Sequence, residues 1–235
     1  MVQLTPQHPY VTLRLKFKKV GSLQYISHLD LVRTMSKIIT RAKLPLWYTE
    51  GFNPKPKMIF AAPLSIGTES VCEFMDLRLV DDISPEEAKA RLNANMTDEM
   101  QVIDAYYTED KLTELKWLSY SIDITTDNAS VELAESCERA LLADEVLVKK
   151  KAKPWEEAPT VNIRPLIKEI SAELRGDVIH IDAVLSADAS AFLNPEYVVK
   201  ALKSACGILS NPDLTKEYFS IMRTAACKAD MSEFR

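Results

Sequence analysis

Glycine, cysteine and histidine are all scarce in this sequence, and each shortage removes a class of chemistry. Five glycines in 235 residues leave no Gly-rich phosphate loop of either common type, and no GxSxG nucleophile turn occurs. Four cysteines, Cys72, Cys137, Cys206 and Cys227, stand far apart with no CxxC cluster. Neither a zinc nor an iron–sulfur site is therefore encoded locally. Three isolated histidines, His8, His28 and His180, with no paired carboxylates at a set spacing, do not define an active site. Long apolar runs are missing too. None approaches the roughly 18 residues of a membrane span, and the opening residues lack a charged-then-apolar signal pattern. The expected compartment is the cytoplasm, where the cysteines stay reduced as buried thiols.

What is present is a chain able to bury a core, with a hydrophobic fraction of 47%. Its length exceeds the usual single domain of about 100–150 residues, so one large or two small domains are expected. The net charge of −5 hides an asymmetry. Residues 1–67 carry ten Lys or Arg against two acids, Asp30 and Glu50, whereas residues 68–235 carry 19 basic and 32 acidic residues. That polarity suits a polyanion-facing surface on a larger acidic body; the alternative is chance clustering on a solvated surface.

After a loose lead-in with Pro6 and Pro9, Tyr10 to Val20 alternates: Val11, Leu13, Leu15 and Phe17 on one side, Thr12, Arg14, Lys16 and Lys18 on the other. The pattern predicts a strand with one buried and one wet, basic face. Ser27, with Asp30 three residues on, starts a helix. Leu31, Met35, Ile38 and Ala42 form its core stripe, and Arg33, Lys37 and Arg41 a second stripe, either solvated or binding. Leu46–Glu50 is a short strand candidate, and Gly51 to Lys57 a stiff, basic loop that either binds or merely connects. Met58–Leu64 and Val71–Val80 read as strands, Ser84-Pro85-Glu86-Glu87 as a capped helix start, and Gln101–Thr108 as a strand. This is the β-α-β-β-α-β order of a ferredoxin-like unit.

A second round follows. It comprises strand Leu118–Thr126, helix Ser130–Ala143, strand Glu145–Lys151, an ambiguous Thr160–Glu173, strand Val178–Leu185, a helix from Asn194-Pro195 to Cys206, and strand Tyr218–Cys227. Lys149, Lys150, Lys151 and Lys153 make a basic run before a turn-like Pro154–Pro159. The expected fold class is α+β, as tandem ferredoxin-like domains over 1–110 and 111–235.

His28 sits at a helix start beside the basic stripe: it is a packed or solvated structural residue, or a phosphate-binding or acid–base group, since imidazole titrates near neutral pH. His180 reads as a sheet residue. Tyr25, Trp47, Tyr48 and Phe52 lie among the basic residues and make base stacking available, with Trp47 expected in the core.

The run SHLDL (27–31), RA-x-LP (41–45), Y-x-EGFNPKP (48–56) and APLSIGTES (62–70) resembles the bacterial family of radical-SAM-associated proteins of unknown function. VNIRPLI (161–167), Asn194-Pro195 and IMRTA (221–225) fit the same family, so the resemblance spans nearly the whole chain. Members stand beside a radical SAM enzyme or form its C-terminal extension. The family loop usually reads GFNPHP, where this chain has Lys55, and usually has Asp before Ile-Arg-Pro, where this chain has Asn162. A lysine at that position suits anion holding, which puts a histidine pair for catalysis or metal binding in doubt. The three-cysteine motif of the enzyme itself is absent.

The resemblance implies a non-catalytic partner subunit of a radical SAM enzyme, with no cofactor of its own, in RNA modification or translation-related metabolism. Its RNA, a tRNA or rRNA, would be held by Arg14, Lys16 and Lys18 on the open sheet face and by Arg33, Lys37 and Arg41 on the helix. His28, Phe52, Asn53, Lys55 and Lys57 would complete the site. One alternative is a metal-independent endoribonuclease using His28, since tandem ferredoxin-like domains with an early histidine also look like enzymes that process CRISPR RNA. Another is a protein-only adaptor docking its basic face on the enzyme.

Overall fold

The computed structural model describes residues 10–150, 153, 155, 157–213 and 215–235. The lead-in with Pro6, His8 and Pro9, Lys151 of the later basic run, and Pro154 of the turn-like stretch after it lie outside the described residues. Two compact units divide the chain, one up to Leu112 together with Arg235, the other Thr113–Phe234. The fold is α+β, with antiparallel sheets and four α-helices among the described residues.

In the first unit β1 (Val11–Lys19), α1 (His28–Arg41), β2 (Met58–Phe60), β3 (Thr68–Leu79), α2 (Pro85–Asn93) and β4 (Met100–Tyr107) follow in order. β4, β1 and β3 lie side by side, and β2 pairs with β3. The alternation of β1 turns Leu13, Leu15 and Phe17 toward Leu31, Met35, Ile38 and Ile39 of α1 and toward Ala88 and Leu92 of α2. Both helices therefore cover one face. Ser84 caps α2 by accepting from the Glu87 N–H at 3.1 Å, with Pro85 at its first turn. The Leu46–Glu50 segment makes only isolated bridges, Leu46 to Leu79 and Tyr48 to Pro56. The strand expected over Met58–Leu64 stops at Phe60.

The second unit holds β5 (Trp117–Thr125), α3 (Val131–Leu142), β6 (Leu147–Lys149), β7 (Thr160–Asn162), β8 (Ile167–Arg175), β9 (Val178–Ser186), α4 (Glu196–Cys206) and β10 (Tyr218–Cys227). Its main sheet runs β10-β5-β9-β8, with the last strand beside the first, as in the first unit. Leu118, Tyr120, Ile122 and Ile124 of β5 are buried, and α3 packs on β8 and α4. Gly176, with φ 64°, takes the first position of the β8–β9 turn, a place that favours glycine. The expected main strand at 145–151 is instead β6 of a separate hairpin with β7, inserted between α3 and β8. The ambiguous 160–173 stretch resolves into β7, a tight turn at Arg164–Leu166, and β8.

Candidate functional site

The first motif is organised around the start of α1. The Ser27 hydroxyl oxygen accepts from the Asp30 N–H at 3.1 Å and its O–H donates to the Asp30 carboxylate at 2.6 Å. That hydroxyl bond, helped by Arg33, holds the Asp30 carboxyl below its ordinary value despite some desolvation. His28 becomes the first helical residue, its ring edge-on to Phe60 at 5.3 Å. Phe60 in turn meets the wholly buried Phe17 at 6.4 Å. The histidine is thus fixed to the core through one aromatic ring. Its Nδ1 is buried without a hydrogen-bond partner among the described residues, as is the Thr68 hydroxyl. Buried polar groups are rarely left so.

The two ends of the motif meet here. Gly67 N–H donates to the Gln24 carbonyl at 2.9 Å, and Gly21 N–H to the Glu69 carboxylate at 2.5 Å. Lys19, buried, donates to the carbonyls of Leu23 at 3.0 Å and Thr68 at 3.5 Å. Glu73, also buried, lies opposite Phe17 in the β1–β3 register. These polar residues escaped the sequence reading, although one signal was available. Lys19 occupies the apolar phase of the β1 alternation, where a charge needs internal partners.

The basic residues do not form one surface. Arg14 is a correction: instead of facing water it is fully buried, with its guanidinium bidentate on Asp76 at 2.7 and 2.9 Å. It also donates to the carbonyls of Arg235 at 2.9 Å and Asp110 at 2.7 Å. Lys16 is half-buried, its ammonium 5.9 Å from the Phe74 ring, and Lys18 is half-buried beside a register shift. Asp104, the register partner of Lys16, pairs with Arg235 at 3.0 Å, so acids match the cations on this face. Arg14 and Lys16 alternate away from the face that α1 covers, so they cannot join a surface made by the outer stripe of α1.

On that stripe Arg33, Lys37 and Arg41 are exposed. Arg33 is engaged with Asp30 at 3.3 Å, while Lys37 and Arg41 meet no acid among the described residues. The 51–57 loop is closed at its base by two bonds between Thr49 and Lys55, backbone to backbone at 3.0 Å and Lys55 N–H to the Thr49 hydroxyl at 3.1 Å. Phe52, Asn53 and Lys55 are exposed and Lys57 is half-buried. Neither loop lysine has an acidic partner among the described residues. Trp47 is half-buried under the Arg78 guanidinium, 5.8 Å away, and is not a core residue. Tyr25, Leu29 and Ile66 of the same motif are exposed. Among the described residues no three His, Cys, Asp or Glu side chains are grouped to hold a metal ion, and no helix is long and apolar enough to cross a membrane.

The later motifs serve the fold. The Asn162 side-chain oxygen accepts from the N–H groups of Val146 and Arg164, both at 3.0 Å, and that of Asn194 from Glu196 at 3.0 Å. Arg223 is buried, its Nε donating to the Tyr120 hydroxyl at 3.2 Å. His180 is buried between Asp123, 2.6 Å from Nδ1, and Asp182, 3.3 Å from Nε2.

Among solved structures, the chain is similar to one in a Cbf5-Nop10-Gar1 complex, with TM-score 0.53 and 9% identity over 97% of this chain and 56% of that one. It also matches chains in an H/ACA RNP bound to a substrate RNA containing 2'-deoxyuridine (TM-score 0.48, 11% identity, 96% and 50% covered) and in an archaeal box H/ACA sRNP Nop10-Cbf5 complex (TM-score 0.47, 10% identity, 100% and 57% covered). The chain spans 50–57% of the length of these three, and the likeness to the first is one of fold. No curated protein matches in sequence. A family model covers residues 12–195, which includes the whole of the first motif. This chain belongs to the family described as uncharacterized protein conserved in bacteria (DUF2344).

Proposed function

We propose that this chain is a non-catalytic, RNA-binding partner subunit of a radical SAM enzyme, working in the cytoplasm in RNA modification or translation-related metabolism. Its architecture is two ferredoxin-like units in tandem, a reading supported by the strand order that both sheets share. The observation that carries RNA binding is the set of cations without acidic partners in the first motif: Lys37 and Arg41 on α1, and Lys55 and Lys57 on the stiff loop. Phe52 and Asn53 on the same loop supply an exposed ring and an amide for bases. The tRNA or rRNA backbone is held through phosphate charge, without sequence reading. The radical SAM partner is supported by the motif resemblance, and exposed Tyr25, Leu29 and Ile66 supply apolar surface for protein docking.

The test is fluorescence anisotropy with labelled RNA against the Lys37→Ala/Arg41→Ala/Lys55→Ala variant. Each single-strand phosphate contact contributes about 0.7 to the slope of log affinity against log salt, so the variant should lose about 2 from that slope. Affinity and slope equal to those of the unaltered chain would refute the proposal.

The buried, unpartnered Nδ1 of His28 favours one second reading, a metal-independent endoribonuclease with His28 as general acid–base. RNA cleavage that disappears in His28→Ala supports it. Co-purification of the radical SAM enzyme with no RNA, before or after nuclease, would point instead to a protein-only adaptor.

A further inference from the structure

The second unit contains a basic cleft that the first motif does not account for. The β6–β7 hairpin is an insertion between α3 and β8, and α4 packs against β6. Between hairpin and helix lies a groove of about 370 Å³. Leu147 and Val148 supply its apolar lining, while Lys149, Thr160, Lys200 and Ser204 supply two ammoniums and two hydroxyls. No acid lines it. Lys149 and Thr160 are opposite each other in the hairpin register, so both side chains line the groove from the same end of the hairpin. Lys200 donates one N–H to the Lys149 carbonyl, which ties α4 to the hairpin and leaves two N–H groups for a ligand. Neither lysine meets a carboxylate among the described residues.

Trp155, in the segment that joins β6 to β7, is exposed, with the Lys153 ammonium 5.8 Å from its ring. Glu157, exposed in the same loop, is the nearest described acid in sequence. The surrounding segment, residues 68–235, is strongly acidic, with 32 acids against 19 basic residues. An acidic body repels a polyanion over most of its surface, so a local positive cleft is the place that accepts it. Phosphate-sized anions would fill only part of the groove. A strand with a phosphate between Lys149 and Lys200 and a base on Trp155 uses both features.

We infer that this cleft is a second RNA contact, taking the phosphodiester backbone of a single strand between Lys149 and Lys200 and stacking a base on Trp155. The inference rests on the RNA-binding reading and adds a separate site to it. The test uses the full chain and a fluorescein-labelled oligouridylate of about 12 nucleotides, titrated at several salt concentrations. Three variants are compared: Lys149→Ala/Lys200→Ala, Trp155→Ala, and Lys37→Ala/Arg41→Ala/Lys55→Ala, each checked for an unchanged circular dichroism spectrum. The cleft variant should bind about tenfold more weakly, with its salt slope reduced by about 1.4 for two lost single-strand contacts. Trp155→Ala should weaken binding severalfold with the slope unchanged. If both cleft variants bind like the unaltered chain while the α1 and loop variant loses affinity, this inference is overturned and the RNA reading stands. If the unaltered chain binds labelled tRNA but no oligouridylate at low salt, this inference is overturned and the RNA reading stands; if it binds neither tRNA, rRNA nor oligouridylate, both fail.

Discussion

Asp76→Ala should be among the most damaging single substitutions in the first unit. Asp76 is 7% exposed and Arg14 wholly buried, so the substitution leaves a buried guanidinium without its carboxylate. Two charge-assisted bonds, at 2.7 and 2.9 Å, disappear together. The main-chain oxygens of Asp110 and Arg235 still accept from Arg14. Breaking one side of a buried pair costs about 3–5 kcal/mol. With a urea slope of about 2 kcal/mol/M, the midpoint should fall by about 1.5–2.5 M. Trp47 reports on this unit by fluorescence, in a chain whose Trp117 and Trp155 are replaced by Phe. Arg14→Met/Asp76→Leu, which removes both charges, should cost much less than Asp76→Ala alone. A loss below about 1 kcal/mol for Asp76→Ala would refute the buried-pair account. The double variant carries a second consequence: its RNA affinity should match that of the unaltered chain, because Arg14 is internal.

Removing the α1 cap with Ser27→Ala should cost about 1 kcal/mol by denaturant titration, and no measurable loss would contradict the capping geometry. Asn162→Asp should be tolerated, because a carboxylate oxygen can accept the same two N–H groups from Val146 and Arg164. Asn162→Ala should cost about 1–3 kcal/mol by leaving them unpaired. Burial first, and then the neighbouring Cys206, push the Cys137 thiol up to about 12. Thiolate is therefore scarce at all pH values below that, and Cys137 should resist iodoacetamide in the native chain at about pH 8. Rapid alkylation of Cys137, mapped by mass spectrometry, would contradict this.

The fold was largely legible because its local signals agreed with one another. The alternation of β1, the serine caps at Ser27, Ser84 and Ser130, and the Asn194-Pro195 start each mark an element found in the structure. What failed depended on partners distant in the chain. Arg14 has the alternation of a solvent-facing residue, and partners far along the chain, Asp76 62 positions later among them, make it an interior one. The β6–β7 hairpin carries the same short apolar pattern as a sheet strand, so its separate pairing could not be read from periodicity. The candidate site was legible as charge on α1 and the loop. The buried cluster of Lys19, Glu73 and Thr68 came only from the meeting of β1 with the start of β3. Asn162 bonds the backbone N–H groups of Val146 and Arg164, a structural role that its place in the sequence did not announce.

RNA recovery from cells tests the central claim most directly. The tagged chain and its Lys37→Ala/Arg41→Ala/Lys55→Ala variant would be crosslinked by ultraviolet light, purified under denaturing conditions, and the attached RNA counted and sequenced. The account predicts that tRNA or rRNA fragments are recovered with the unaltered chain and strongly depleted with the variant. RNA at mock level with the unaltered chain, or equal recovery from both, would contradict it.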